Sequence, residues 1–189
     1  MAYYINGEIK FEGDYLNGKI WNGKGYNKNG KIKFKIKDGN GYNTEYYDYG
    51  DLKFEGEYKN GEKNGKGKEY YDNDKLRFEG EYLNEKRNGK GKEYYDNGEL
   101  RFEGNFLNGK LWNGKGKIYG QNGELFFEGE YLKGKKNGKG KEYYDNGKLK
   151  FEGNYLNGKI WNGKGKEYND DGELEFEGEY LNGKRCNDF

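Results

Sequence analysis

The sequence predicts an all-β fold: an elongated single-layer array of about eight stacked antiparallel β-hairpins, twisted into a ribbon with an aromatic groove. Three observations carry this prediction. A Phe-Glu-Gly motif recurs along the chain, the segments around it alternate apolar and polar residues, and Asn-Gly pairs lie between these segments.

The motif repeats with a nearly constant period. Its phenylalanine recurs after 23, 20, 24, 24, 25, 24 and 25 residues. A period of this length indicates units that bury their apolar face only by stacking on their neighbours. We therefore predict one continuous array over residues 1–189. The Glu-Gly is missing only after Phe34, and the loop there is shorter, so we expect a bend or a local interruption at that unit.

Each unit predicts a β-hairpin. In residues 100–106 apolar or glycine residues alternate with polar ones, which is typical of a half-buried strand. Asn97-Gly98 precedes this segment, and Asn-Gly predicts a two-residue turn in which both residues have positive φ. The register then pairs Lys92 with Glu103 and Tyr95 with Leu100. The chain would begin with the second strand of one unit and end with the first strand of another, giving sixteen strands with turns near residues 6, 29, 49, 73, 97, 122, 146 and 171.

The same register places opposite charges side by side in the other units. Such pairs on one face of a sheet each contribute roughly 0.2–1 kcal/mol. The predicted pairs are Lys68 with Glu79, Lys117 with Glu128, Lys141 with Glu152, and Lys166 with Glu177.

The composition excludes several classes of function. The 189 residues are 31% hydrophobic and 37% charged, with 35 Gly and no Pro, so an ordinary three-dimensional core does not fit. His and Ser are absent and Cys186 is the single cysteine, which removes Ser-His, Cys-His and His-based metal sites. A regular ladder of identical glutamates also lacks the asymmetry that separates catalytic pKa values. We expect neither an enzyme nor a cofactor, and the net charge of +1 argues against nucleic acid as a partner.

The sequence also predicts where the protein works. The first residues lack the basic and long apolar regions of a signal peptide, and no apolar run is long enough to span a bilayer. We expect a cytoplasmic protein, with a peripheral position at a membrane as the alternative.

The repeats resemble a known family. Residues 78–84, Phe-Glu-Gly-Glu-Tyr-Leu-Asn, followed by Gly-Lys-Gly at 89–91, resemble the MORN repeat, although Glu85 stands where its middle glycine is expected. Residues 143–153, Tyr-Tyr-Asp-Asn-Gly-Lys-Leu-Lys-Phe-Glu-Gly, are similar to the bacterial branch of that family. The resemblance implies a non-enzymatic module that serves in protein scaffolding, dimerisation or contact with anionic phospholipids. Some bacterial relatives are antitoxins.

Aromatic side chains are the first candidates for partner binding. Trp21, Trp112 and Trp161 lie in loops that are one residue longer than the others, and exposed aromatic anchors dominate many protein interfaces. The alternative is that each Trp covers its neighbouring loop and seals the edge of the sheet. The predicted aromatic stripe adds further candidates for contact with a protein or peptide: Tyr95, Phe102, Phe106, Tyr131 and Tyr155.

Carboxylates on the aromatic face are the second candidates. The register places Glu93 and Glu142 there, with Glu69 and Glu167 in equivalent positions. Carboxylates beside aromatic rings suit a cationic peptide, through ion pairs and cation–π contacts. The alternative is that these glutamates lie near the rim of the groove and meet lysines of adjacent units.

Lysines on the opposite face are the third candidates. Clustered lysines attract anionic lipid head groups, and this face carries Lys66, Lys90, Lys115, Lys139 and Lys164. The alternative is a solvated face that its glutamates neutralise.

The hypothesis that accounts for most of these features is a scaffold that binds a protein or peptide through the aromatic groove and the Trp loops. Three alternatives remain open: a peripheral binder of anionic membranes, an antitoxin-like inhibitor, and a carbohydrate- or choline-binding repeat array. The outer strands at the two ends of the array also predict an end-to-end homodimer.

Overall fold

The computed structural model describes residues 1–120, 123–169 and 172–186 and confirms the all-β prediction. The strands are joined into one open antiparallel sheet. By density of contacts the chain divides into two compact units, the first formed by residues 1–99 and 106–109 and the second by residues 100–105 and 110–189. In the described part of the chain, no helix is long and apolar enough to cross a bilayer.

The first unit contains nine complete strands and the end of a tenth. Consecutive strands pair with each other and are antiparallel. The strands are β1 (Ala2–Tyr3), β2 (Ile9–Leu16), β3 (Lys19–Tyr26), β4 (Ile32–Lys37), β5 (Asn40–Tyr46), β6 (Leu52–Lys59), β7 (Glu62–Tyr70), β8 (Leu76–Leu83), β9 (Lys86–Tyr94) and the end of β10 (Leu100–Leu107).

The second unit contains most of β10 and the last seven strands, again paired in chain order. The strands are β11 (Lys110–Tyr119), β12 (Leu125–Leu132), β13 (Lys135–Tyr143), β14 (Leu149–Leu156), β15 (Lys159–Tyr168), β16 (Leu174–Leu181) and β17 (Lys184–Arg185). The expected count of sixteen strands is wrong, because the chain makes one more turn after β16 and forms β17.

The register predicted from the charged residues is confirmed where the pairing is described. Lys68 lies opposite Glu79, and Gly67 lies opposite Gly80. Three further pairs repeat this arrangement: Lys117 with Glu128, Lys141 with Glu152, and Lys166 with Glu177. Because side chains alternate along a strand, this register gives the sheet one face with the phenylalanines, the aromatic face, and one with these Lys-Glu pairs, the charged face.

The predicted turn type is wrong at Asn97-Gly98. The Gly98 N–H donates to the Tyr95 carbonyl at 2.9 Å, and the Tyr95 N–H donates to the Glu99 carbonyl at 2.9 Å. The loop therefore has three residues, of which only Gly98 has positive φ, and Tyr95 faces Glu99 instead of Leu100. In other hairpins the residue after the paired Leu forms a bulge that restores the register. Arg77, between Leu76 and Phe78, is an example. The turns predicted at 122 and 171 involve residues outside the described part of the chain.

Two-residue turns with positive φ at both positions occur at the opposite edge of the sheet, which we call the I′ edge. Asn17 and Gly18 have φ values of 51° and 78° there, and Leu16 pairs with Lys19 across the turn. Glu85 occupies the second position of one such turn with φ of 69°. The turns at this edge are 17–18, 38–39, 60–61, 84–85, 108–109, 133–134, 157–158 and 182–183.

The core is a row of phenylalanines on the aromatic face. Phe78 is fully buried, and its ring lies over the Gly80-Gly91 pair, where a Cβ on Gly91 would come within 2.6 Å of a ring carbon. Larger residues at positions 80 and 91 would lift the ring off the sheet, which explains these two glycines. The other largest fully buried side chains are Phe54, Phe102, Phe127 and Phe151.

The interruption expected at the repeat that contains Phe34 is present. β4 and β5 pair only at Ile36 with Gly41 and at Lys37 with Asn40, beside their shared turn. Deeper in β5, Asn43 Oδ1 and Thr44 Oγ1 are buried without a hydrogen-bond partner. The loss of Glu-Gly after Phe34 thus coincides with a shortened ladder. That residues 1–189 act as a single array stays a prediction.

Candidate partner-binding surfaces

The rings of the aromatic face pack against one another in an edge-to-face row. In the first unit the Phe78 ring lies 5.5 Å from Tyr82 and 4.9 Å from Phe106, with interplanar angles of 89° and 85°. In the second unit Phe127 lies 5.3 Å from Tyr155 at 89°. Phe78 and Phe127 therefore each contact an aromatic ring of the next hairpin. Such pairs contribute about 0.5–1.5 kcal/mol beyond the area that they bury.

This packing covers several of the predicted partner-binding residues. Phe102, Phe106 and Tyr155 are buried, whereas Tyr95 and Tyr131 are only partly covered. The buried rings form the floor of the aromatic face, and the partly covered tyrosines are more accessible to a partner. A role of any of these residues in binding stays a prediction.

Basic side chains lie on the phenylalanine rings. The Lys63 ammonium lies 4.2 Å from the centre of the Phe54 ring, and the Lys136 ammonium lies 4.1 Å from that of Phe127. The Arg87 guanidinium lies 4.3 Å from the centre of the Phe78 ring. Sequence reasoning missed these contacts. The available signal was that a Lys or Arg precedes Asn-Gly-Lys-Gly only in units that lack Trp.

These cations also neutralise the carboxylates of the aromatic face. Arg87 Nη1 lies 2.7 Å from Glu93, and Arg87 Nη2 pairs with Glu69 of the neighbouring hairpin. Glu142 pairs with Lys136 at 2.8 Å and with Lys150 at 3.0 Å. The structure therefore shows the alternative in which these glutamates meet basic residues of their own and adjacent hairpins. Direct recognition of a cationic peptide by Glu93 or Glu142 stays a prediction.

Tyrosine hydroxyls complete the clusters and shift the titration of the groups. The Tyr82 hydroxyl donates to Glu69 at 2.7 Å. Burial by itself would raise the pKa of Glu69, but Arg87 and Tyr82 hold it below its usual value. Burial and the adjacent Glu69 charge raise the pKa of Tyr82. Glu69 is therefore ionised and paired with Arg87 at neutral pH, and the Tyr82 hydroxyl is protonated.

The three tryptophans lie at the I′ edge and remain partly exposed. Trp21 is the extra residue of a bulge, since Ile20 pairs with Tyr15 and Asn22 pairs with Asp14. Trp161 is placed in the same way between Ile160 and Asn162.

Two of the tryptophan rings, those of Trp21 and Trp161, also approach the next turn. A Cβ on Gly39 would lie 2.8 Å from the Trp21 ring, and one on Gly183 would lie 3.8 Å from the Trp161 ring. The rings thus cover part of the neighbouring turn, which is the alternative considered from the sequence, and still expose part of their surface.

A hydrogen-bond ladder joins successive I′ turns, and sequence reasoning missed it. The Gly39 N–H donates to the Trp21 carbonyl at 2.8 Å, and the Asp38 N–H donates to Asn22 Oδ1 at 2.8 Å. In the second unit the Asn182 N–H donates to Asn162 Oδ1 at 2.7 Å. The Asn that precedes Gly-Lys-Gly holds the next turn in four of the hairpins that the structure describes, through Asn22, Asn113, Asn137 and Asn162. Three of these residues follow a Trp, so the position of the Trp loops depends on them.

The charged face carries the predicted lysine ladder. Lys66, Lys90, Lys115, Lys139 and Lys164 are all exposed. Lys115 of this ladder lies 3.5 Å from Glu130. Lys166, two residues after Lys164, lies 2.8 Å from Glu177. Exposed pairs of this kind contribute little to stability. Among the residues that the structure describes, no group of three or more His, Cys, Asp or Glu side chains could hold a metal ion.

Comparison with known families agrees with the repeats seen in the fold. A family model described as a MORN repeat variant matches residues 87–111, 136–157 and 161–182, and the MORN repeat model matches residues 54–75. No curated protein matches the chain.

Proposed function

The chain belongs to the MORN-repeat family, and from this premise we propose that it is a non-enzymatic scaffold that binds a protein or peptide partner through its Trp loops and the adjoining aromatic face. Repeat proteins of this family serve as scaffolds, and commonly bind proteins or membrane phospholipids. The partly exposed Trp side chains are the anchors of the proposed interface.

The observation that carries this proposal is that the fold does not require tryptophan at these positions. Units with a shorter loop place a basic residue such as Lys63, Arg87 or Lys136 on the aromatic face instead. The chain nevertheless uses Trp in three units and leaves part of each ring accessible. Trp is enriched in interfaces relative to the rest of the protein surface, and especially in interface hot spots.

A scaffold also fits the chemistry of the remaining side chains. The ionisable groups of the aromatic face form closed clusters of cation, carboxylate and tyrosine, as around Arg87. Although burial opposes it, the cations around Glu69 and Glu142 lower the pKa of each carboxyl, whereas a general acid needs a raised pKa. The proposal therefore includes the absence of catalysis.

The test combines Trp21→Ala, Trp112→Ala and Trp161→Ala in one protein. We expect the variant to keep its β-type circular dichroism and to lose its partner, measured by pull-down with the partner that the wild-type protein captures. Lys66→Ala on the charged face is the matched control and should retain capture. Retained capture by the Trp variant would refute the proposal, and lost circular dichroism would show that the tryptophans are structural.

Peripheral binding of anionic membranes is the second candidate, favoured by the exposed lysine ladder. Lysines near a membrane contribute about 1 kcal/mol each. Sedimentation with neutral and with anionic vesicles at two salt concentrations tests it. Binding only to anionic vesicles that fades with salt, and that is lost on replacing Lys139 and Lys164 by Glu, supports a position at the membrane.

A further inference from the structure

A row of alternating leucines and lysines lies along the I′ edge of the second unit. Leu132 lies directly opposite Lys135 across its turn, and Leu156 lies opposite Lys159. Leu181 and Lys184 form the third pair. All six side chains are exposed, the leucines by 40–57%. Because residues two apart share a face of a strand, these leucines lie on the charged face, away from the phenylalanine core.

The fold itself does not require leucine at this position. In the first unit the equivalent residue of one turn is Lys59, which faces Glu62, and in another it is Lys37, which faces Asn40. A lysine is therefore tolerated where a leucine stands elsewhere. The cross-strand partner changes with it: leucine faces lysine, whereas Lys59 faces a carboxylate. The turns with leucine are thus both apolar and cationic.

We propose that this row, formed by Leu132, Leu156, Leu181 and their facing lysines, is a docking surface for an acidic amphipathic helix of a partner protein. The surface lies at the same edge as the Trp loops, on the face opposite the aromatic face. Its occupant needs apolar side chains to cover the leucines and carboxylates to pair with the lysines.

The spacing of the row favours a helix. One hairpin contains two strands about 4.8 Å apart, so successive leucines are about 10 Å apart. A helix rises 1.5 Å per residue, and residues seven apart on one face are about 10.5 Å apart. A partner with leucine-like residues at every seventh position therefore contacts all three turns.

The surrounding charges favour a narrow occupant over a membrane. Glu130 and Glu179 lie on the same face two residues before Leu132 and Leu181, about 7 Å along the strand, and each of them faces a lysine, Lys115 or Lys164. Glu152 and Glu177 lie farther away, four residues before Leu156 and Leu181, which is about 13 Å along the strand. A helix about 10–12 Å wide covers the row without reaching Glu152 and Glu177. The flat surface of an anionic membrane would approach these carboxylates, which it repels. The leucines are also only 40–57% exposed, so they do not project far enough to insert into a bilayer.

The test uses a fluorescent 21-residue helical peptide with Leu at every seventh position and Glu beside it, titrated with the full-length protein by anisotropy. Two comparison peptides carry Lys in place of Glu, or Ser in place of Leu. We expect saturable binding of the first peptide only. Absence of binding, or equal binding of all three peptides, would overturn the proposal.

Variants locate the surface. Leu132→Asn, Leu156→Asn and Leu181→Asn together should weaken binding at least tenfold. The control, Leu149→Asn with Leu174→Asn, changes exposed leucines at the opposite edge of the same face and should change the affinity less than twofold. Circular dichroism confirms that both variants fold.

Charge reversal gives a second readout. Lys135→Glu, Lys159→Glu and Lys184→Glu together should exchange the preference from the acidic to the basic peptide. An unchanged preference would refute the role of these lysines. Leucine-dependent sedimentation with anionic vesicles, without binding of the acidic peptide, would assign the row to a membrane and overturn the proposal.

Discussion

Replacing Arg87 by Ala should destabilise the first unit more than any other single loss of charge described here. The Arg87 side chain is 12% exposed and pairs with two carboxylates, Glu69 and Glu93, whose side chains are 22% and 10% exposed. It also lies 4.3 Å from the centre of the buried Phe78 ring. Removal takes the Arg87 cation away from the buried Glu93 and the partly buried Glu69.

The expected magnitude follows from that burial. Breaking a buried ion pair by removing one partner costs about 3–5 kcal/mol, because the other charge stays desolvated. Loss of the cation–π contact with Phe78 lowers the free energy of unfolding further. We expect the free energy of unfolding, measured by urea denaturation with far-UV circular dichroism, to fall within or slightly above this range.

Two further variants make the reasoning refutable. Arg87→Met with Glu69→Gln and Glu93→Gln removes all three charges and should recover most of the loss. Lys166→Ala breaks an exposed pair, with side chains 43% and 54% exposed, and should cost less than about 1 kcal/mol. If Arg87→Ala costs no more than Lys166→Ala, the cluster does not contribute as its geometry indicates.

Three other predictions concern turns, pH and the interrupted ladder. Gly18→Ala should lower the free energy of unfolding by about 1–2 kcal/mol, because of its positive φ alone. Gly39→Ala should lower it more, because the added Cβ would also lie 2.6 Å from the Gly61 nitrogen in the next turn. Urea denaturation of the two variants compares these losses. The pKa values of Glu69 and Glu142 are lower in the folded than in the unfolded protein, so ionisation of both groups stabilises the fold above the unfolded pKa of about 4.3. The melting temperature should therefore fall as the pH drops below this value. It should fall less steeply in the variant that combines Glu69→Gln and Glu142→Gln. Thr44→Val removes a buried hydroxyl without a partner and should not lower the free energy of unfolding; a loss above about 1 kcal/mol would show that the hydroxyl is satisfied.

Much of the fold follows from the sequence because the period-two pattern and the charge pairs report on local geometry. The pairing of Lys68 with Glu79 follows from alternation and from a turn of roughly known position. The turn at Asn97-Gly98 was misassigned, because Asn-Gly fits a two-residue turn and a three-residue loop equally well. A bulge one residue later restores the register, so the error does not spread along the strand.

The candidate sites depend much more on tertiary contacts. The sequence placed Glu142 and the phenylalanines on one face, but it does not show that Lys136 and Lys150 converge on that carboxylate. Lys136 precedes an irregular stretch of β13, where pairing shifts, and such a shift changes the direction of a side chain without leaving a clear pattern. Sequence reasoning therefore identified the acidic residues and missed their partners.

The sequence by itself determined the β-hairpin repeat, its register and its two chemically different faces, since these follow from alternation, spacing and turn residues within about 25 residues. The tertiary structure decided which side chains are accessible. Phe102 is buried, with the Tyr131 ring of the next hairpin against it, whereas Leu156 beside its turn is 40% exposed. Burial depends on neighbours stacked through space, and a repeat pattern shows the same residue types in both situations.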